Sequence, residues 1–199
     1  MGLPKTILTE DEYLALERDS EERHIYVDGE IFAMVGESGA HADITGNIHA
    51  SLHAQLRGTP CRARTKDTKV RSGPVPKSGK RTASLYSYPD IVVICGEPEY
   101  LDSFRDVVMN PKVIVEALSE STEAFDRGAK FRGFRKYNPS LTDYVLVSQD
   151  RPQIEHFHRE KDGRWSYEVY EGLEAVVKLS SIRCRLKAAE VHERIKFDN

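Results

Sequence analysis

Three short apolar runs constrain this chain more than anything else in it: Asp90-Ile-Val-Val-Ile-Cys95, Lys112-Val-Ile-Val-Glu-Ala-Leu118 and Asp143-Tyr-Val-Leu-Val147. Each is too short for a helix and rich in β-branched residues, so each predicts a central, buried strand. Between the second and third, a helix opening at Ser121 or Thr122 runs to about Tyr137, where Asn138-Pro139 stops it. Strand, helix and strand in that order imply a right-handed crossover.

The remaining segments fill in around this frame. Residues 9 to 18 open on a Thr, carry acid in their first turn and keep Tyr13, Leu14 and Leu16 on an apolar side, which predicts a short helix. Asp28-Gly29 between two apolar runs supplies the positive φ angles of a hairpin turn. From Ser38 to Leu56 the apolar residues Ile44, Ile48, Leu52 and Leu56 recur every four positions, predicting a second helix. Residues 61 to 72 alternate as one strand, and 72 to 86 read as a mobile, basic loop. The tail alternates on both sides of Lys161-Asp162-Gly163 and closes with helical residues near Arg185 to Ile195. The expected fold is α/β (α+β): one domain over residues 1–199, a mixed β-sheet flanked by helices, with β-hairpins at both ends of the chain.

At 199 residues, 39% hydrophobic and 31% charged, the chain has the length and composition for one sizeable core. It lacks a run long enough to span a bilayer, and its first residues lack the apolar centre of a secretory signal, so the expected location is cytoplasmic. Cys61, Cys95 and Cys184 have no CxxC spacing and are expected as reduced, half-buried thiols. A net charge of -3 excludes a polycation that coats nucleic acid, yet residues 57 to 81 hold nine Lys and Arg against Asp67 alone. Arg62, Arg64, Lys66, Lys69 and Arg71 in that stretch suit phosphates, or else form a solvated face.

Asp90 and Glu116 are carboxylates set in apolar runs, and such groups must be paired, protonated or metal-bound because uncompensated desolvation costs several kcal/mol. Two of them on neighbouring strands repel unless a cation lies between. With no His pair or Cys nearby in sequence, oxygen ligation suits Mg²⁺, or Mn²⁺, and the implied chemistry is phosphodiester hydrolysis. The alternative is a strand-end Asp on a turn and a buried Glu neutralised by an Arg. Lys130, four residues after Asp126, reads either as a surface i, i+4 ion pair or as a cation facing the metal site. His41 and Asp67 are outer candidates, the first as an anion contact at a helix start and the second as a carboxylate behind the ligands; the ordinary reading, a satisfied partly buried histidine and a salt-bridge partner, comes first for both.

The text around these residues resembles the Uma-two family of restriction-endonuclease-like proteins, a branch of the PD-(D/E)XK nuclease superfamily. The resemblance rests on Tyr26-Val-Asp28-Gly29-Glu30-Ile31, His41 opening a helix, Asp67-Thr-Lys69-Val70, Tyr88-Pro89-Asp90-Ile-Val-Val93, Val115-Glu116-Ala-Leu-Ser119 with Ser121-Thr122, and Asp126 to Lys130 before Tyr137 and Asp143-Tyr144-Val145. The superfamily places an acid and a Lys two apart on one strand, whereas position 118 is Leu here. The family's own habit of setting the lysine on the following helix transfers that role to Lys130. Ile25 stands where relatives usually have Glu. The resemblance implies a four-stranded mixed sheet carrying the acids, often in a homodimer.

These readings combine in a Mg²⁺-dependent endonuclease acting on DNA. Asp90 and Glu116 are expected to hold the metal with the carbonyl of Ala117, Lys130 is the catalytic cation, and the basic residues contact the phosphate backbone. The rival is a module on a nuclease fold that binds nucleic acid or a protein without cutting. A small-molecule hydrolase is disfavoured, because G-x-S-x-G, H-E-x-x-H and a phosphate-cradling glycine loop are all missing from the sequence.

Overall fold

The computed structural model describes residues 7–34, 36–75 and 83–197. Helix α1 (Glu10–Asp19) starts at a reciprocal cap: the Thr9 hydroxyl accepts the Glu12 N–H at 3.2 Å, and the Glu12 carboxylate accepts the Thr9 N–H at 2.8 Å. Strands β1 (His24–Val27) and β2 (Glu30–Ala33) form the expected hairpin, with φ of 51° at Asp28 and 102° at Gly29. Helix α2 (Gly39–Gln55) presents Ile44, Ile48 and Leu52 to the core, as their spacing predicts.

The three apolar runs become β6 (Ile91–Cys95), β8 (Val113–Ala117) and β9 (Asp143–Val147). They occupy the middle of a six-stranded mixed sheet in the order β11-β10-β9-β8-β6-β3, with β3 (Cys61–Thr65), β10 (Gln153–Arg159) and β11 (Trp165–Glu171) outside them. This is larger than the four strands that the resemblance implies. Strands β8 and β9 are parallel neighbours, and the segment between them crosses over the sheet. That segment is α3 (Glu123–Phe125), a π-helical turn (Asp126–Lys130) and α4 (Phe131–Tyr137).

Alternating side chains divide the core at this sheet. Ile91, Val93, Val113, Val115, Val145 and Val147 face α2 and the two-stranded ribbon of β12 (Val176–Leu179) and β13 (Cys184–Lys187). Val92, Ile94, Ile114, Tyr144 and Leu146 face α4 and the second sheet. That second sheet has the order β2-β1-β5-β4-β7, built with β4 (Lys69–Ser72), β5 (Leu85–Ser87) and β7 (Val107–Val108).

Four expectations are corrected. The single strand over 61–72 is two strands in different sheets, because the chain turns at 66–68, where the Thr68 N–H donates to the Thr65 carbonyl at 3.1 Å. The loop over 72–86 is narrower: Ser72 ends β4, and Leu85 and Tyr86 are buried in β5. Its central part, 76–82, with Lys77, Lys80 and Arg81, lies outside the described residues. The C-terminal helix α5 (Ala188–Val191) begins only after β13, which takes up Cys184–Lys187. Finally, Cys61 and Cys95 are not thiols; they stand opposite each other in the β3–β6 ladder, Cα atoms 3.9 Å apart, and are disulfide-bonded. Cys184 is free and buried.

Candidate active site

The antiparallel register of β6 against β8 pairs Ile91 with Val115, so Asp90, one residue before β6, comes level with Glu116. Pro89 cannot donate a ladder hydrogen bond and marks the strand's start. The two acids are joined through the backbone. The Asp90 N–H donates to Glu116 Oε2 at 3.4 Å, and the Ala117 N–H donates to Asp90 Oδ2 at 2.8 Å. Ala117, expected to offer its carbonyl, here holds Asp90 through its N–H.

Lys130 arrives from the crossover. The π-helical turn directs both Asp126 and Lys130 at the sheet, and each is buried to 4% exposure or less. Lys130 Nζ donates to Asp126 Oδ1 at 2.8 Å and lies 2.7 Å from Glu116 Oε1. The second contact lacks hydrogen-bond alignment, so Glu116 Oε1 is a buried oxygen compensated by charge alone. The surface ion-pair reading of Asp126 and Lys130 is thereby replaced by a buried three-group cluster. Burial pushes the Glu116 carboxyl well above its usual range, with Asp126 and Asp90 adding to the shift and Lys130 opposing it. Burial acts to lower the Lys130 pKa, but Glu116 and Asp126 outweigh it and hold the ammonium charged. Tyr144 closes the floor, donating its hydroxyl to the Asp126 carbonyl at 3.0 Å.

His41 occupies the first turn of α2, whose cap is the Ser38 hydroxyl accepting the His41 N–H at 3.1 Å. Its Nε2 contacts Asp90 Oδ1 at 2.8 Å, while Gln149 Nε2 meets Nδ1 at 3.2 Å and donates to the Leu118 carbonyl at 2.7 Å. Nδ1 therefore accepts from Gln149, which leaves the ring proton on Nε2, pointed at Asp90. Burial opposes the imidazolium, yet the hydrogen bond and charge of Asp90, with Glu37 behind, hold the His41 pKa above its ordinary value. Asp126, Gln149 and Ser38 were not singled out from sequence. Only Asp126 carried a signal, its i, i+4 spacing to Lys130.

The basic residues separate into two groups. Arg62 and Arg64 alternate on edge strand β3, opposite Ile94 and Val92, and so share the sheet face of Glu116. Lys66 follows the strand and pairs with Glu37, which lies 3.8 Å from His41 Nε2. Lys69 and Arg71 sit in the other sheet, 4% and 1% exposed. Lys69 faces Asp106 at 3.4 Å, and Arg71 is enclosed by Glu10, Tyr86 and two carbonyls. Neither presents a cation to a phosphate, because folding has already committed both to internal carboxylates. Asp67 is exposed and pairs with Arg23.

Glu116 and Asp126 thus meet one permanent cation, Lys130, with Asp90 adjoining Glu116 and His41 at the rim. The surplus of negative charge, together with an unaligned buried oxygen on Glu116, fits a divalent cation with hard oxygen ligands. The Asp90 and Glu116 carboxylates are the groups that would hold it.

The fold that carries these residues has a counterpart among solved structures. The chain superposes with a TM-score of 0.72 on a crystal structure described as a putative nuclease belonging to DUF820 from Anabaena variabilis, covering 95% of this chain and 99% of that one at 16% identity. At the level of sequence, residues 10–187 match the Uma2 family model, described as "Putative restriction endonuclease", and the chain belongs to that family. Two proteins of Synechocystis are similar. Uncharacterized protein slr1290 is 35% identical over 170 residues, 84% of each chain; uncharacterized protein sll1609 is 30% identical over 177 residues, 89% of this chain and 95% of its own.

Proposed function

We propose that this protein is a divalent-metal-dependent endonuclease that hydrolyses phosphodiester bonds in DNA, with Asp90 and Glu116 as metal ligands and Lys130 as the catalytic cation. The observation that carries this reading is the Lys130 ammonium 2.7 Å from Glu116 Oε1, with Asp90 held level by the Ala117 N–H. A Mg²⁺ or Mn²⁺ ion bound there supplies Lewis acidity at a phosphate oxygen and a more acidic water.

The chain's own residues account for the rest. Glu116 provides carboxyl oxygen at the end of β8, with Oε1 2.7 Å from the Lys130 ammonium. Asp90 is oriented by two donors, the Ala117 N–H on one oxygen and His41 Nε2–H on the other. Lys130, held charged by Asp126 as well as Glu116, offers a fixed cation to the negative charge that develops on a phosphate in the transition state. Arg62, Arg64 and Lys66 beside this face would meet flanking phosphates. The same reading includes a homodimer, for which the free edge β11 with exposed Tyr167 and Val169 is the candidate surface. Among the described residues no helix is long and apolar enough to cross a membrane.

The test is nicking of supercoiled plasmid, and cutting of single-stranded DNA, with Mg²⁺ or Mn²⁺ against EDTA. Cleavage that requires the metal is expected. Equal DNA binding in metal and chelator, with the strands left whole, would instead support a non-cleaving module.

A further inference from the structure

We infer that Asp143, His156 and His158 form a second metal site, built for a zinc-class divalent ion and separate from the acids of the candidate active site. His156 and His158 alternate on β10, so both rings emerge from one face of the sheet, and Asp143 at the start of β9 lies directly opposite His158. Three donor atoms converge: His156 Nε2 and His158 Nδ1 each lie 2.8 Å from Asp143 Oδ1, and all lie within 4.8 Å of one another. A tetrahedral zinc site separates neighbouring ligand atoms by roughly 3.3 Å, so these contacts need open by only about 0.5 Å to admit the ion.

The surroundings favour coordination over an ordinary carboxylate network. The other oxygen of Asp143, Oδ2, is fixed by the Thr142 hydroxyl at 2.8 Å and by the Ser181 hydroxyl, which locks the carboxylate with Oδ1 aimed at both imidazoles. Outer contacts of this kind orient metal ligands. Asp143 is fully buried, yet among the described residues no Lys or Arg pairs with it. His156 is buried, while the His158 side chain remains 29% exposed and gives an ion a way in. Two imidazoles and one carboxylate suit zinc better than magnesium.

The site is distinct from the candidate active site in place as well as chemistry. Asp143 pairs with Val113, three residues before Glu116 on β8, which is about 10 Å along the strand. Its side chain shares the face of Val145 and Val147, whereas Glu116 lies on the face of Leu146. An ion here would tie β9 and β10 to the turn between β12 and β13 through Ser181.

The experiment is calorimetric titration of chelator-stripped full-length protein with Zn²⁺, in wild type, Glu116→Ala, His158→Ala and Asp143→Asn, with Co²⁺ absorption as a readout of tetrahedral geometry. Tight Zn²⁺ binding and the Co²⁺ ligand-field bands should persist in Glu116→Ala, and should weaken by more than about tenfold in His158→Ala and Asp143→Asn. His158 is partly exposed, so its replacement is expected to preserve the fold, which circular dichroism checks. Absence of tight Zn²⁺ binding in wild type, equal binding by all four proteins, or loss confined to Glu116→Ala would each overturn the assignment.

Discussion

Two buried ion-pair clusters, one in each sheet, show what separates structural charge from chemical charge. In the smaller sheet Arg71 is 1% exposed and meets one carboxylate: Nε and Nη2 donate to Glu10 at 2.8 and 3.2 Å, Nε also meets the Tyr86 hydroxyl at 3.1 Å, and the remaining donors reach the carbonyls of Gly73 and Pro74 at 3.2 and 2.6 Å. Charge balances and the donors are aligned. In the larger sheet Lys130 faces Glu116 and Asp126, with Asp90 adjoining, and Glu116 Oε1 is left without an aligned donor. Burial alone marks both clusters. Only the second has negative charge to spare, and a surplus of that kind is what a divalent cation or a phosphate-bound metal can use.

The comparison predicts opposite stability effects. Removing the Arg71 cation takes the guanidinium from Glu10 and the buried Tyr86 hydroxyl and opens a cavity in the smaller sheet, so Arg71→Ala should destabilise by about 3–5 kcal/mol in urea unfolding. A loss no larger than that of a typical surface substitution would remove the distinction. Glu116→Gln, by contrast, relieves surplus charge and should leave stability in chelator at pH 7 equal to wild type or higher. A large loss would mean that Glu116 is structural.

The pH dependence sharpens the same point. Burial raises the folded-state pKa of Glu116, so this group contributes stability below the ordinary carboxylate range and loses that contribution as pH rises through its elevated value. In chelator, wild type should therefore lose stability relative to Glu116→Gln as pH increases across that window. Identical pH profiles would show that Lys130 already neutralises Glu116 in full.

The smallest effect concerns the surface. Replacing Arg62, Arg64 and Lys66 together with Ala should lower the slope of log K against log salt for duplex DNA by about 3, while Lys69→Ala should leave the slope unchanged because that cation is buried beside Asp106. A change of slope in the Lys69 variant would return it to the phosphate surface.

The sequence was informative where a local pattern has one physical outcome. The β-branched runs had to be interior strands, Asp28-Gly29 had to turn, and the four-residue apolar repeat of α2 had to face the core. Alternation in 61–72 was legible as strand, but alternation does not say which sheet a residue joins, so Lys69 and Arg71 looked like Arg62 and Arg64. The Cys61–Cys95 bond spans 34 residues and depends on ladder register, which no spacing rule reports. Asp90 and Glu116 stood out as acids in apolar runs. Lys130 needed the family resemblance, because the local text equally describes a surface ion pair and only the π-helical turn carries it inward. Gln149 reaches His41 and Ser38 across more than a hundred residues and left no local mark.

The most direct test of the central claim is metal-dependent plasmid nicking by wild type, Glu116→Ala and Lys130→Ala in parallel, with Arg164→Ala, an exposed position, as a control outside the site. The account predicts nicking in Mg²⁺ or Mn²⁺ by wild type and the control, and its loss by a factor of at least about 10² in both site variants while their circular dichroism stays native. Cleavage at the wild-type rate by folded Glu116→Ala would contradict it.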